Sequence, residues 1–143
     1  MPSKHTLAIL KPDAIASGKS GLILAHLQSA GFQVRAARLA RLTRAEAGAF
    51  YAVHKDRPFY GELVEFMTSG PCMPLALERQ DAVSTLRATI GATDPAEAAP
   101  GTIRKLYAES KGRNAIHASD SDENAAREIA FFFTEGELAG LWG

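Results

Sequence analysis

Apolar spacing along this chain switches repeatedly between a period of two and a period of 3.6, and that order restricts the fold more than any other property. Thr6-Leu-Ala-Ile-Leu10 runs into Lys11 as a first strand with Leu7 and Ile9 on one face, and Pro12, lacking a backbone donor, stops it. Gly21 to Ala30 carries a helical stripe of Ile23, Leu27 and Ala30, closed by Gly31. Phe32, Val34 and Ala36 alternate with Gln33 and Arg35 as a second strand reaching towards Leu39, with Arg35, Arg38 and Arg41 as solvated decoration. Thr43-Arg-Ala-Glu46 is a capping box for a helix with Ala47, Phe50, Tyr51 and His54 on one side. A further helix starts at Arg57-Pro58, turns Leu63, Phe66 and Met67 inward and closes at Gly70-Pro71. Met73 to Glu78 is the third strand, and Val83, Leu86 and Ile90 mark the helix Asp81 to Ile90. Gly91 to Arg113 is broken by Gly and Pro and reads as a long loop, a site candidate on length alone. Asn114 to Ser119 is a short fourth strand, and Ser121 caps a last helix to about Phe132.

This order predicts an α+β fold: a ferredoxin-like βαββαβ sandwich in which helices cover one face of a four-stranded antiparallel sheet. A length of 143 residues with 46% hydrophobic composition suits a single domain, 1–143, with its own core. Sixteen basic side chains balance sixteen acidic ones, so global charge does not favour nucleic acid or an anionic membrane as principal partner. A lone cysteine, Cys72, excludes an internal disulfide and a thiolate cluster and fits a reducing compartment. Met1-Pro-Ser-Lys-His5 leads straight into the first strand with no export signal, and no apolar run approaches the roughly 20 residues of a membrane span. The expectation is a soluble, cytoplasmic protein.

Gly18-Lys19-Ser20 imitates a phosphate-binding loop, but that motif needs a glycine where Asp13 stands, so it reads as a polar turn. No two of the four histidines have the i, i+4 spacing of a helical zinc site, and no metal ligands are assigned. His5, His26 and His54 read as structural or surface residues. His117 has small strand neighbours, Ala115 and Ser119, which leave space beside its ring, although a packed structural histidine fits the pattern as readily. Glu128 lies on the apolar stripe Ala125, Glu128, Ile129, Phe132, where a carboxylate needs a partner; a wet boundary glutamate is the alternative. If it binds His117, it fixes the tautomer and leaves the other ring nitrogen as a nucleophile. Lys11, Arg87 and Arg104 stand near predicted element ends, as a polyphosphate site would use them, and as ordinary surface charge also stands. Tyr51 brings a hydroxyl onto an apolar stripe, and Phe59 offers an aromatic platform, with core packing the alternative for both.

Asn114-Ala-Ile-His-Ala-Ser-Asp120 resembles the active-site signature of the nucleoside diphosphate kinases. The resemblance extends through Thr6-Leu-Ala-Ile-Leu-Lys-Pro-Asp-Ala14, Arg57-Pro-Phe59, Phe66-Met-Thr-Ser-Gly-Pro71, Pro100-Gly-Thr-Ile-Arg104 and Ala126-Arg-Glu-Ile-Ala-Phe-Phe-Phe133. It implies ping-pong transfer between nucleoside triphosphates and diphosphates through a phosphohistidine at His117. It also implies Lys11, Arg87, Thr93 and Arg104 around the phosphates, Asn114 at the sugar hydroxyls and Phe59 stacked on the base. Glu128 would hold the imidazole, Ser119 would bond to Glu128, and Tyr51 would lie near the transferred group. Magnesium (Mg2+) would ride on the nucleotide phosphates, and the chain would form a homo-oligomer, tetramer or hexamer. Two stretches depart from the family pattern, Lys105-Leu106 and the tail Leu138 to Gly143, and both bear on assembly.

Overall fold

A computed structural model describes residues 3–142. Met1 and Pro2 of the N-terminal stretch and Gly143 of the tail read above lie outside the described residues. Four strands, β1 (His5–Leu10), β2 (Gln33–Ala37), β3 (Met73–Glu78) and β4 (Ile116–Ala118), form one sheet in the order β2-β3-β1-β4. Every neighbouring pair is antiparallel. Among the described residues eight α-helices accompany them: α1 (Pro12–Ala16), α2 (Ser20–Ser29), α3 (Arg44–Phe50), α4 (Tyr60–Met67), α5 (Ala82–Ile90), α6 (Ile103–Tyr107), α7 (Asp122–Phe132) and α8 (Glu135–Leu138).

The sheet is covered on both faces, which corrects the expectation of one. Ala8 and Leu10 of β1, with Leu75 and Leu77 of β3, pack against Ile23 and Leu27 of α2 and Leu86 and Ile90 of α5. On the opposite face Leu7, Ile9 and Ala76 meet Ala47 and Phe50 of α3, Met67 of α4 and Ile129 and Phe132 of α7. The reason is visible in Leu7-Ala-Ile-Leu10, where consecutive apolar residues leave β1 no polar face. Each fully buried Leu or Ile contributes roughly 1.5–3 kcal/mol, so a central strand apolar on both sides stabilises both layers.

Other differences have local causes. Pro12 does not merely end β1; it occupies the first turn of α1, where its missing N–H has no partner to lose. A register shift between Val34 and Ala36 turns these two residues to opposite faces, so the simple alternation read over β2 fails there. Arg35 is not decoration, since its guanidinium pairs with the buried Glu78 at 2.7 Å. The segment 91–113 contains α6, capped by Thr102, too short at five residues to display a period. The α3 helix ends at Phe50, and a separate 3₁₀ turn, Ala52–His54, carries the chain onward. In α5 it is Ala82 rather than Val83 that is fully buried, and in α4 Val64 and Met67 go deepest while Leu63 and Phe66 face a cavity. Among the described residues no helix is long and apolar enough to cross a membrane.

Candidate active site

The antiparallel register builds the site. Ile9 lies opposite His117 and Leu10 opposite Ile116, so the chain leaving β1 at Lys11 runs beside the chain entering β4 at Asn114 and Ala115. Lys11 N–H accordingly donates to the Ala115 carbonyl at 2.8 Å. Directly opposed residues share a face, so His117 projects on the Ile9 side, towards α3 and α7. There its ring meets Phe50 edge-on at 5.3 Å and Tyr51 at 5.9 Å between centroids.

The α7 helix follows β4 after a short connection and is capped by the Ser121 hydroxyl, which accepts Asn124 N–H. Its buried stripe is Ala125, Glu128, Ile129 and Phe132, so Glu128 is delivered inward. His117 Nε2 lies 2.8 Å from Glu128 Oε1, and the buried Ser119 hydroxyl donates to the same oxygen at 2.7 Å. A carboxylate only accepts, so Nε2 is the protonated nitrogen and Nδ1 keeps its lone pair. The imidazole is 18% exposed, and burial holds it below the ordinary histidine range despite the opposing carboxylate. The neutral form is therefore favoured.

Cations gather at the other end. Lys11, 8% exposed, has its ammonium pushed down to about 8 by burial and then by Arg104, with Asp13 opposing; its Nζ donates to Asn114 Oδ1 at 2.9 Å. Arg104, at the start of α6, is drawn down to about 10 by burial and then by Arg87. Three of its five N–H groups go to backbone carbonyls: Nη1 to Gly91 at 3.0 Å, Nη2 to Ile116 at 2.8 Å and Nε to Asn114 at 3.4 Å. Gly91 is required here, because at φ +88° a Cβ would come within 2.6 Å of the Thr102 hydroxyl that caps α6. Arg87, exposed near the end of α5, donates to the Ala118 carbonyl at 3.3 Å. Asn114 Nδ2 donates to the Thr93 carbonyl at 3.4 Å, which ties the loop after α5 to the mouth of β4.

These groups line one cavity of about 870 Å³, within the range of small-molecule sites. Lys11, Tyr51, Phe59, Arg87, Thr93, Arg104, Asn114, His117 and Glu128 all border it; Ser119 does not, and touches it only through Glu128. Phe59 is 47% exposed on the wall, its ring 5.6 Å from that of His54. The Tyr51 hydroxyl is buried with no hydrogen-bond partner, and burial pushes the phenol well above its usual range. Sequence reasoning passed over Phe50, Phe66, Lys111, Arg113 and Asp120, which share the wall. For Phe50, Lys111, Arg113 and Asp120 the available signal was nearness in sequence to Tyr51, Asn114 and His117; Phe66 had no such signal. Among the described residues no three His, Cys, Asp or Glu side chains group as ligands for an ion. The arrangement presents a neutral imidazole and a set of cations to the same cavity, a layout suited to a transferable anionic group.

Comparison with known proteins agrees with that layout. The family model described as nucleoside diphosphate kinase matches residues 4–138. A nucleoside diphosphate kinase of Chlorobaculum parvum is 59% identical over 135 residues, covering 94% of this chain and 96% of the relative. One from Chloroherpeton thalassium is 61% identical over 134 residues, with 94% and 95% covered. The solved nucleoside diphosphate kinase of Aquifex aeolicus superimposes with a TM-score of 0.92 at 48% identity, covering 94% of this chain and 98% of that one. A halophilic nucleoside diphosphate kinase from Halobacterium salinarum, solved in complex with CDP, gives 0.89 at 37% identity, with 97% and 98% covered.

Proposed function

This chain belongs to the nucleoside diphosphate kinase family, a kinase of nucleotides, and from that premise we infer that it transfers phosphate by a ping-pong route through His117. One observation carries the reading: Nδ1 of a neutral, carboxylate-held imidazole shares a cavity with Lys11, Arg87 and Arg104, cations with no carboxylate hydrogen-bonded to them. In the first half-reaction the Nδ1 lone pair attacks the γ-phosphorus of a nucleoside triphosphate. The N–P bond forms as the bond to the bridging oxygen breaks, and the diphosphate leaves with that electron pair. In the second half, a terminal oxygen of an acceptor diphosphate attacks the same phosphorus and the N–P bond breaks.

Charge neutralisation and positioning dominate phosphoryl transfer, and Lys11, Arg104 and Arg87 supply them to the phosphate oxygens, with Thr93 beside them. Glu128, steadied by Ser119, stabilises the positive charge that develops on the imidazole as Nδ1 bonds phosphorus. Tyr51 lies near the transferred group, Asn114 reaches the sugar hydroxyls, and Phe59 offers a π-face that any base can use. That the Halobacterium salinarum relative was solved in complex with CDP supports nucleotide binding by this chain. Magnesium enters as part of the magnesium–nucleotide substrate.

The proposal includes a one-domain chain working in the cytoplasm as a homo-oligomer, tetramer or hexamer, which light scattering measures. The exposed Leu22, Leu39 and Leu106 offer apolar area for such contacts. Brief incubation with γ-labelled ATP should leave acid-labile, base-stable phosphate on the protein, released as triphosphate on adding any nucleoside diphosphate. His117→Ala should remove both the label and turnover; full turnover in that variant sinks the reading.

A further inference from the structure

One buried ionic side chain has no part in the chemistry above. Asp13, in the first turn of α1, is 4% exposed; its Oδ2 accepts the Ala115 N–H at 3.0 Å, and its Oδ1 has no partner. Ala115 stands at φ +73°, left-handed, and is one of only two non-glycine residues with positive φ among the described residues. Ile116 N–H donates back to the Asn114 carbonyl at 2.9 Å, so Asn114-Ala115-Ile116 is a three-residue γ-turn of the positive-φ kind, the rarer and strained form. Strain of this sort persists only where the surroundings over-determine it. The surroundings here do so from three directions. Lys11 N–H holds the Ala115 carbonyl, the Arg104 guanidinium holds the carbonyls of Asn114 and Ile116, and Asp13 holds the Ala115 N–H.

The turn separates Asn114 from His117 by two residues, and its geometry sets how both side chains enter the cavity. We propose that Asp13 is a positioning residue for transfer: its carboxylate locks Ala115 in the left-handed γ-turn and thereby aims His117 and Asn114 at the same bound nucleotide. This rests on His117 being the phosphoryl acceptor. The carboxylate does not touch the reacting atoms; it acts through the Ala115 N–H. Glycine at position 115 adopts positive φ without the steric penalty of a Cβ, so it removes the need for the lock.

That gives a rescue test on the full chain, read as the rate and nucleotide dependence of His117 phosphorylation from labelled ATP. Asp13→Ala should slow phosphorylation on the order of 10²-fold, the scale of an ångström misplacement, with a much smaller change in the half-saturating ATP concentration. Ala115→Gly alone should stay near the wild-type rate, and Asp13→Ala with Ala115→Gly should recover most of the loss. A double variant as slow as Asp13→Ala, or Asp13→Ala at the wild-type rate, overturns the proposal. Should Asp13→Ala fail to fold, Asp13→Asn decides, since its amide oxygen can still accept the Ala115 N–H: a near-normal rate supports the lock and a loss on the order of 10²-fold overturns it. An unlabelled wild-type enzyme would instead defeat the phosphohistidine reading itself, an outcome distinct from failed rescue.

Discussion

The two ends of the cavity are stabilised in opposite ways. At the imidazole end Glu128 receives His117, Ser119 and, at 3.5 Å, Arg127, so the buried carboxylate is accounted for within the protein. At the cationic end Lys11 and Arg104 are each held below their ordinary ranges by burial and by a neighbouring cation. One end satisfies its charge by hydrogen bonds within the protein; at the other, burial and neighbouring cations depress Lys11 and Arg104, and Asp13 offsets only part of this at Lys11. The difference teaches that holding the nucleophile and binding the phosphates are separable tasks, one met by internal hydrogen bonds and the other by charge left unbalanced.

The largest effect expected in breaking this contrast is at Lys11. Lys11→Met should lower transfer on the order of 10²–10³-fold, as loss of one preorganised donor does, measured as kcat/KM in a coupled assay. The same variant should melt higher, not lower. A lysine depressed from 10.5 to about 8 withholds about 3 kcal/mol of stability below pH 8, where folded and unfolded forms are both protonated. That penalty fades as pH rises from about 8 to 10.5, so the melting advantage should shrink over the same window, as calorimetry can follow. A lower Tm at pH 7 would show that the ammonium is balanced inside the fold after all. The wild type should also lose kcat/KM above about pH 8 as free Lys11 gives up its proton, while bound phosphate moves the matching limb of kcat higher.

Glu128→Ala comes next. Transfer should fall by about 10²-fold with nucleotide affinity little changed, because the imidazole loses its orientation and the cationic end is untouched. Rapid-quench phosphorylation set beside equilibrium nucleotide binding separates the two, and weakened binding with normal transfer would mean the ends are not independent. Ser119→Ala should be the mildest, a severalfold slowing consistent with about 1 kcal/mol for one hydrogen bond to a carboxylate that keeps its other partner. A loss as large as that of Glu128→Ala would instead make the hydroxyl indispensable to the orienting carboxylate.

Much of the molecule was legible before any coordinates. Four strands in order, the Thr43 capping box and the inward stripe of α7 follow from periods and caps that act within a few residues. The meeting of His117 with Glu128 was accessible for the same reason, since strand and helix are adjacent in sequence and each presents a fixed face. The convergence of Lys11, Arg87 and Arg104 was not derivable from pattern, because three separate elements bring them together; the family resemblance suggested it.

The bulge in β2, the five-residue α6 and the γ-turn at Ala115 left no trace in the residue pattern, the last because alanine carries no sign of a left-handed backbone. By itself, then, the sequence determined what local interactions determine: which of the longer segments are strands or helices, roughly where they begin, and which faces seek burial, while the short helices α1, α6 and α8 escaped it. Tertiary structure alone decided what depends on contacts between distant segments: a sheet buried on both sides, a lysine and an arginine desolvated side by side, and a strained turn held by Asp13 from 102 residues away. Burial and electrostatic energies are set by everything within a few ångströms in space, and no reading along the chain contains those neighbours.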